Sequence, residues 1–420
     1  MKRIDIYKLH AGDIILTASR TKAGKAVRIA SRGIVSHAMI CVQHGSIIDS
    51  TANGVQAWNL QREFFTEDEK IFGFRLREAL APVDIARVVD FARSEIGTRY
   101  SNVEAARSVL GGRKPRNGRQ FCSRLAARAY ASVGIQLVPD QDYCTPEDLR
   151  KSLLLVEIDD LAVAVTPGEI AAMANRPNPL QSMRDAQNFV LAAARRLDPN
   201  VENFSDLDRL VREHTEWDSI IAQAYRDSGY LDIWRHELQA HPYRYDLEIM
   251  ESITDLGMVA ELRAYCIDTI REAYSGGIRF AVNLTHYLAA QNESERETIQ
   301  LLIELYETLV RNNELRVETA RSWLLRHHPN DVAKYFERVV PHSLLWFSIV
   351  DRVEPRLGAV ARLSIQKEQS LEVCSSCGDP AQDYRLANAG KAMPGVPSLR
   401  LCSDCVGIRR QFGEELEIVD

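Results

Sequence analysis

Short apolar runs near the start of the chain predict a β-sheet. Residues 13–17 follow a glycine turn, residues 37–42 and 46–50 flank a Gln-His-Gly turn, and residues 71–76 form a fourth run. Such runs, bounded by turn residues and rich in β-branched and aromatic side chains, are typical of strands. The two runs around the Gln-His-Gly turn predict a hairpin.

Helical spacing appears between and after these strands. Apolar residues recur every three or four positions over residues 83–96, 122–133 and 146–152. Gly134 ends the second of these patterns. Thr145 is a good N-cap for the third, and the proline after it suits the first position of a helix. Strands followed by helices predict an α+β fold, which we assign to a domain over residues 1–160.

The pattern then changes and predicts an all-helical domain over residues 178–365. The composition loosens over residues 161–179, where a Pro-Gly pair and a Pro-Asn-Pro triplet favour a linker. Beyond it, apolar residues recur at helical spacing. The first such series is Met183, Ala186, Val190, Ala193 and Leu197. The sequence does not indicate what this domain does.

Length and charge refine this picture. A chain of 420 residues is too long for one ordinary compact domain. Its first 157 residues carry 24 basic and 17 acidic side chains, whereas the remainder carries 28 and 41. This asymmetry can steer an anionic substrate or help the two halves dock. The sequence has no apolar signal-peptide region and no run of about eighteen apolar residues, so we expect a cytoplasmic protein without a transmembrane segment.

Four of the eight cysteines form two CxxC pairs and predict a small zinc ribbon over residues 370–412. Cys374 and Cys377 form the first pair, and Cys402 and Cys405 form the second, with 24 residues between the pairs. Two such pairs supply the four thiolates of a tetrahedral zinc site. A segment of about forty residues has little core of its own, so metal binding would provide much of its folding free energy.

This zinc site is expected to be structural, because four cysteine ligands leave no open position on the metal. The ribbon contains basic residues but few aromatic side chains that could stack on bases, so a protein partner is favoured over nucleic acid, which stays open. Reduced thiolates also favour an intracellular protein over one with a disulfide framework.

Cys122 has a different setting, since it lies where a polar loop gives way to an amphipathic helix. The free N–H groups and the dipole at a helix start favour an anion and so increase the thiolate fraction of a cysteine there. Such a thiol can act as a nucleophile. The apolar face that Leu125, Ala126 and Ala129 continue is equally compatible with a buried, inert cysteine.

His37 and Asp49 could supply the base and the orienting group that a cysteine nucleophile needs. His37 begins one strand of the predicted hairpin and Asp49 lies in the other. If the turn holds an odd number of residues, Asp49 falls opposite Met39, on the face that carries His37. A two-residue turn would place it on the other face. His44, in the turn, is the competing candidate for a catalytic histidine.

Short motifs along the first 155 residues share their order with one group of enzymes. They are Gly12-Asp13-Ile14, Ser36-His37-Ala38, Gly54-Val55, Gly97-Thr98-Arg99-Tyr100, Phe121-Cys122-Ser123 and Thr145-Pro146-Glu147. In this order they resemble the circularly permuted papain-like cysteine hydrolases of the NlpC superfamily, in which the histidine strand precedes the cysteine helix. The resemblance implies Cys122 as nucleophile, His37 as base, Asp49 as orienting residue, and Tyr100 as a helper at the oxyanion or the substrate.

Two departures leave the substrate class open. Related non-permuted enzymes often have an aspartate directly before the cysteine, where this chain has Phe121, and some lecithin retinol acyltransferase-like relatives have a histidine at position 49. Basic residues around Cys122 are compatible with recognition of an acidic peptide tail, a lipid headgroup or a phosphate, or with a solvated loop. They are Arg107, Arg113, Lys114, Arg116, Arg119, Arg124 and Arg128.

The sequence therefore predicts an intracellular cysteine hydrolase, of the amidase or peptidase type, that acts through a thioester. Its helical and zinc-ribbon regions would select the target, and its chemistry needs no metal. Two alternatives remain: a lipid acyltransferase or phospholipase with the same triad, and a non-catalytic adaptor that binds through the ribbon. The expected substrates are peptides, amides or lipid-like acyl compounds.

Overall fold

Two compact units, Met1–Tyr230 and Leu231–Asp420, make up the chain in the computed structural model. The structure describes residues 1–19, 21–43, 45–80, 82–101, 105, 118–176, 178–272, 277–293, 295–331, 339–387, 393, 395–396 and 398–419. Each unit has hydrophobic clusters of its own.

An antiparallel sheet forms the centre of the first unit. The strands of this unit are β1 (Lys2–Ile4), β2 (Ile14–Thr17), β3 (His37–Gln43), β4 (Ser46–Thr51), β5 (Gly54–Asn59), β6 (Ile71–Leu76), β7 (Leu155–Ile158) and β8 (Ala162–Ala164). Six of them form the sheet in the order β5-β4-β3-β2-β6-β7, and β1 pairs with β8 in a separate sheet. The four runs predicted from the sequence correspond to β2, β3, β4 and β6.

Helices of the first unit pack against different strands of this sheet. They are α1 (Lys22–Ser31), α2 (Pro82–Ser94), α3 (Cys122–Ala131), α4 (Pro146–Arg150), α5 (Pro167–Ala174), α6 (Pro179–Leu197), α7 (Phe204–Glu213) and α8 (Asp218–Asp227). Helix α3 contacts β3, β4 and α2, whereas α6 contacts the edge strand β5. The mixture of sheet and helix confirms the α+β assignment.

Alternating strand residues divide between two hydrophobic clusters. Ala38 and Ile40 of β3 belong to the cluster that contains Leu125 of α3. Met39 and Cys41, which alternate with them, belong to a second cluster. This alternation is the two-residue period of a strand that is buried on both faces.

The stretch that we predicted as a linker, residues 161–179, contains regular structure. It includes β8 and α5, and Thr166 forms a capping box with Glu169 at the start of α5. Pro167 and Pro179 occupy the first turns of α5 and α6. A proline is tolerated there because that N–H has no partner within the helix, so these prolines begin helices where we had inferred loop. The proposed domain boundaries at 160 and 178 stay a prediction, while α6 to α8 lie in the first unit.

The second unit contains helices followed by a small sheet. Its helices are α9 (Trp234–Ala240), α10 (Leu247–Glu251), α11 (Leu256–Glu272), α12 (Ile278–Glu293), α13 (Glu297–His327), α14 (Leu344–Val353), α15 (Pro355–Glu368) and α16 (Ser403–Gln411). Its strands β9 (Gln382–Leu386), β10 (Leu399–Leu401) and β11 (Leu416–Ile418) form an antiparallel sheet in the order β10-β9-β11. In the part of the chain that the structure describes, no helix has both the length and the apolar character needed to cross a bilayer.

The small sheet shares a hydrophobic core with the helices before it. Trp346 of α14 is fully buried in one cluster with Leu399, Leu401 and Cys402. The indole N–H of Trp346 donates to the carbonyl oxygen of Ser398 over 3.3 Å. The ribbon therefore has more apolar support than its own forty residues provide.

Candidate active site

Cys122 is the first residue of α3. Phe121 caps the helix without a side-chain hydrogen bond, so its side chain does not satisfy the N–H groups at the helix start. Cys122 is 7% exposed and packs in the main core of the first unit. The next residue, Ser123, donates its hydroxyl hydrogen to the carbonyl oxygen of Cys144 over 2.8 Å, which fixes the first turn of the helix.

The hairpin places Asp49 opposite Met39, as predicted, but through a bulge. Gln43 pairs with Ser46, so only two residues separate the strands, and this turn alone would put Asp49 on the wrong face. The register shifts between Cys41 and Gln43, and the extra residue restores the pairing of Met39 with Asp49. The competing histidine at position 44 lies outside the described residues.

His37 and Asp49 form a close pair. The Nε2 hydrogen of His37 is directed at Oδ2 of Asp49, and the two atoms lie 2.8 Å apart. The imidazole side chain is 22% exposed and the carboxylate 7%. Burial alone would lower the pKa of His37, but hydrogen bonds with Asp49 and Cys122, together with their negative charges, raise it to about 10. His37 therefore interacts with both the carboxylate and the thiol.

The raised pKa of His37 predicts how an Asp49→Asn variant should behave. Loss of the carboxylate is expected to lower the pKa of His37 below about 10, because both the hydrogen bond and the charge of Asp49 raise it. An imidazolium with a raised pKa stabilises the fold fully below pH 6.5, and this contribution is lost as the pH rises through 10. NMR titration of ¹³C-labelled histidine measures both values. Asp84→Asn, at a surface pair with Arg87, is the control and should leave His37 unchanged. A wild-type His37 that titrates near 6.5 would contradict the assignment.

Tyr100 lies next to the short segment that leads into Cys122. It forms a parallel bridge with Gln120, in which the Ser101 N–H donates to the carbonyl of Gln120 over 2.9 Å. Burial and the charge of Cys122 raise the pKa of the Tyr100 hydroxyl. This phenol therefore stays protonated at neutral pH and can donate a hydrogen bond near the thiol.

Part of the chain matches a known protein family. Residues 8–151 match the model of the peptidase C92 family. The family is described as permuted papain-like amidase enzymes of the YaeF/YiiX type. This match supports a papain-like domain in the N-terminal part of the chain and hydrolase activity of the amidase or peptidase type. The finer assignment to the NlpC superfamily stays a prediction.

A comparison with solved structures also found a similar chain. The crystal structure of the metalloprotein yiiX from Escherichia coli O157:H7 aligns with 16% sequence identity and a TM-score of 0.30. The alignment covers 36% of this chain and 97% of that one. No curated protein matches the sequence.

The other cysteines outside the ribbon are poor nucleophiles. Burial raises the pKa of Cys41 and that of Cys266 to about 12. Burial also raises the pKa of Cys144 above its ordinary value. At neutral pH these three thiols carry almost no thiolate, so a thiol-directed reagent that labels the C92-matched region should label Cys122.

The basic residues around Cys122 differ in their surroundings, and the structure does not describe all of them. Arg107, Arg113, Lys114 and Arg116 lie outside the described residues. Arg124 is only 1% exposed, packs between Phe121 and Tyr143, and donates to backbone carbonyls on both sides of the helix start. Arg128 donates to Asp142 over 2.7 Å. Arg124 therefore braces the fold and cannot meet an anionic substrate without a rearrangement.

Sequence reasoning missed two charged residues near Asp49. Arg184 of α6 is buried, lies 3.8 Å from the ring centre of Trp58, and donates to the carbonyl of Ala57 over 3.0 Å. Burial and the charge of Asp49 raise the pKa of Glu63. Arg184 gave no signal because it lies in the segment that we assigned to a separate helical domain.

The four ribbon cysteines converge on one point. The sulfur atoms of Cys374, Cys377, Cys402 and Cys405 all lie within 4.8 Å of one another. Tetrahedral zinc with Zn–S bonds of about 2.3 Å would hold its sulfur ligands about 3.8 Å apart, so the cluster is compatible with a metal site. Backbone N–H groups also point at sulfur, since Ser376 donates to Cys374 over 3.4 Å.

Proposed function

We propose that this protein is an intracellular cysteine hydrolase of the amidase or peptidase type. The observation that carries the proposal is the position of the His37 imidazole, which is paired with Asp49 and interacts with the thiol of Cys122 at the start of α3. The match of residues 8–151 to permuted papain-like amidases supports the same reaction class.

The proposed reaction begins at the thiol. Nε2 of His37 is hydrogen-bonded to Asp49, which leaves Nδ1 to accept the proton of Cys122. The thiolate attacks the carbonyl carbon, and N–H groups at the start of α3 stabilise the oxyanion. When the C–N bond breaks, His37 gives its proton to the leaving amine and a thioester remains. His37 then takes a proton from water, which attacks the thioester. It returns that proton to the sulfur as the acid leaves.

Tyr100 and Asp49 have supporting roles in this reaction. The protonated Tyr100 hydroxyl can donate to the oxyanion or to the substrate. Asp49 orients the imidazole and stabilises its protonated form, because the carboxylate accepts a hydrogen bond from it. Each step uses side chains of the first unit alone.

The ribbon is proposed to hold structural zinc on Cys374, Cys377, Cys402 and Cys405. Four thiolates close the coordination sphere, so the metal would stabilise the ribbon and take no part in the thiol chemistry. Target selection is assigned to the helical region and the ribbon, with a peptide or amide substrate and a protein partner. The domains at 1–160, 178–365 and 370–412 and the cytoplasmic location belong to the same proposal.

Acylation by p-nitrophenyl acetate tests the nucleophile. The wild-type protein is expected to release a burst of one p-nitrophenolate per chain and to carry an acetyl group on the Cys122 peptide by mass spectrometry. Cys122→Ala should show neither, because burial raises the pKa of Cys41 and of Cys144, the other thiols of the first unit. Cys144→Ala is the matched control and should retain both.

A second experiment determines the substrate class. Release of p-nitroaniline from acyl-peptide p-nitroanilides supports the amidase, whereas release of fatty acid only from phosphatidylcholine vesicles supports the lipid alternative. Catalysis would be contradicted if the wild-type protein released no burst and the Cys122→Ser variant kept the biological effect of the wild type. That result would support the adaptor.

A further inference from the structure

A carboxylate between α6 and α7 binds two arginines that flank the active site. Glu202 accepts hydrogen bonds from Arg99, from Nη2 over 2.6 Å and from Nε over 2.9 Å. It accepts another from Nε of Arg119 over 3.3 Å. The Glu202 side chain is 15% exposed. Burial alone would raise the pKa of Glu202, but hydrogen bonds from Arg99 and then Arg119 hold it below its ordinary value. Glu202 is therefore an ionised, largely buried anchor.

Arg99 connects this anchor with the catalytic residues. Its carbonyl oxygen accepts from the N–H of Gln120 over 3.1 Å, two residues before Cys122. Its own N–H donates to Glu202 over 3.2 Å, and the next residue along the chain is Tyr100. Both the backbone and the side chain of Arg99 are therefore fixed, and the position of Tyr100 depends on them.

The loop that carries Glu202 is itself held against the loop before Tyr100. Arg195 of α6 donates through Nη2 to the carbonyl oxygens of Gly97 and Glu202, each over 2.7 Å. Gly97 has a φ of +95°, and a Cβ atom there would lie 2.3 Å from the Leu191 side chain. The close approach of α6 thus requires a glycine at this position. The loop before Tyr100 and the loop that carries Glu202 form one braced assembly.

We propose that Glu202 is a positioning residue of the active site, which through Arg99 fixes Tyr100 and the residues directly before Cys122. The proposal rests on the proposed function. It makes α6 and α7 part of the catalytic machinery, although the C92 match ends at residue 151. Glutamine at position 202 keeps the shape of the side chain but presents an N–H group to the arginines, which can only donate.

The test is a double-mutant cycle on acylation by p-nitrophenyl acetate, with Glu202→Gln and Tyr100→Phe. Each single variant is expected to acylate about 10- to 100-fold more slowly, since small misplacements of catalytic groups have effects of this size. If Glu202 acts through Tyr100, the double variant should be no slower than the slower single variant. Alkylation of Cys122 by iodoacetamide should keep its wild-type rate and pH profile, because the pair with His37 is left intact.

Glu169→Gln is the control, since Glu169 is also a carboxylate near an arginine, but it is exposed, caps the start of α5 and lies near Arg3 instead of Arg99 and Arg119. It should acylate at the wild-type rate. The inference would be overturned if Glu202→Gln acylated at the wild-type rate, or if the rate losses of the two single variants multiplied in the double variant. In either case, a burst from the wild-type protein would still uphold the proposed function. Slower alkylation together with a lower melting temperature would show a merely structural role and also overturn it. A wild-type protein that is not acylated at Cys122 would refute both.

Discussion

Replacement of His37 by glutamine is expected to slow the acylation of Cys122 by p-nitrophenyl acetate about 10²- to 10⁴-fold, the usual contribution of a general base. Glutamine can still reach Asp49 with a hydrogen bond, but it cannot take the thiol proton. The wild-type imidazolium, with a pKa of about 10, also stabilises a thiolate by its charge. Both effects disappear in the variant, so alkylation by iodoacetamide at pH 7 should slow as well.

Stopped-flow detection of p-nitrophenolate measures the first rate, and mass spectrometry of the Cys122 peptide measures the second. His10→Gln is the matched control, because His10 is exposed at the surface of the same unit. Raised pKa values keep Cys41 and Cys144 unreactive, so labelling reports on Cys122. Labelling that is indifferent to the loss of His37 would refute the proposed catalytic pair.

Loss of one ribbon cysteine is expected to abolish metal binding and unfold the ribbon. Structural zinc contributes about 10–16 kcal/mol of apparent binding free energy in zinc-finger peptides at neutral pH. Cys402→Ser removes a ligand but keeps an N-cap for α16, because serine can also accept the hydrogen bond that Cys402 accepts from the N–H of Cys405. Hydrogen exchange should accelerate throughout β9, β10 and β11, while the sheet of the first unit keeps its protection.

Elemental analysis should find one zinc per wild-type chain and none in the Cys402→Ser protein. Cys266→Ala is the matched control, because Cys266 is buried in the same unit and lies outside the cysteine cluster. It should retain one zinc and a protected ribbon. A wild-type protein that cannot be loaded with zinc, or a Cys402→Ser protein with an unchanged exchange profile, would contradict a structural zinc site.

Local patterns predicted the elements that carry the catalytic residues. The strand with His37 and the helix that begins at Cys122 start where the sequence indicates, because a turn or a loop precedes each. β5 was not predicted as a strand, since its sequence, Gly-Val-Gln-Ala-Trp-Asn, contains no run of apolar residues like those of the neighbouring strands. β1 and β8 are three-residue strands that pair with each other although they lie far apart in the chain, and no local pattern reveals such a pair.

The arrangement around the site was predictable only in part. The pairing of Met39 with Asp49 was expected from an odd turn, yet a bulge produces it, because hydrophobic alternation does not distinguish the two arrangements. Glu202 and Arg184 could not be found from spacing, since each acts on residues more than a hundred positions earlier in the chain. Their roles depend on the docking of α6 against β5, which is a long-range contact.

The bulge in the β3–β4 hairpin also restricts how the length of this segment can vary. Surface hairpins usually tolerate the gain or loss of a residue at the tip. Here such a change would turn every side chain beyond it to the other face of the sheet, and Asp49 would turn away from the imidazole. Ile48 would take its place after an insertion, and Ser50 after a deletion. Among descendants of this chain, insertions or deletions in the hairpin should therefore occur in compensating pairs.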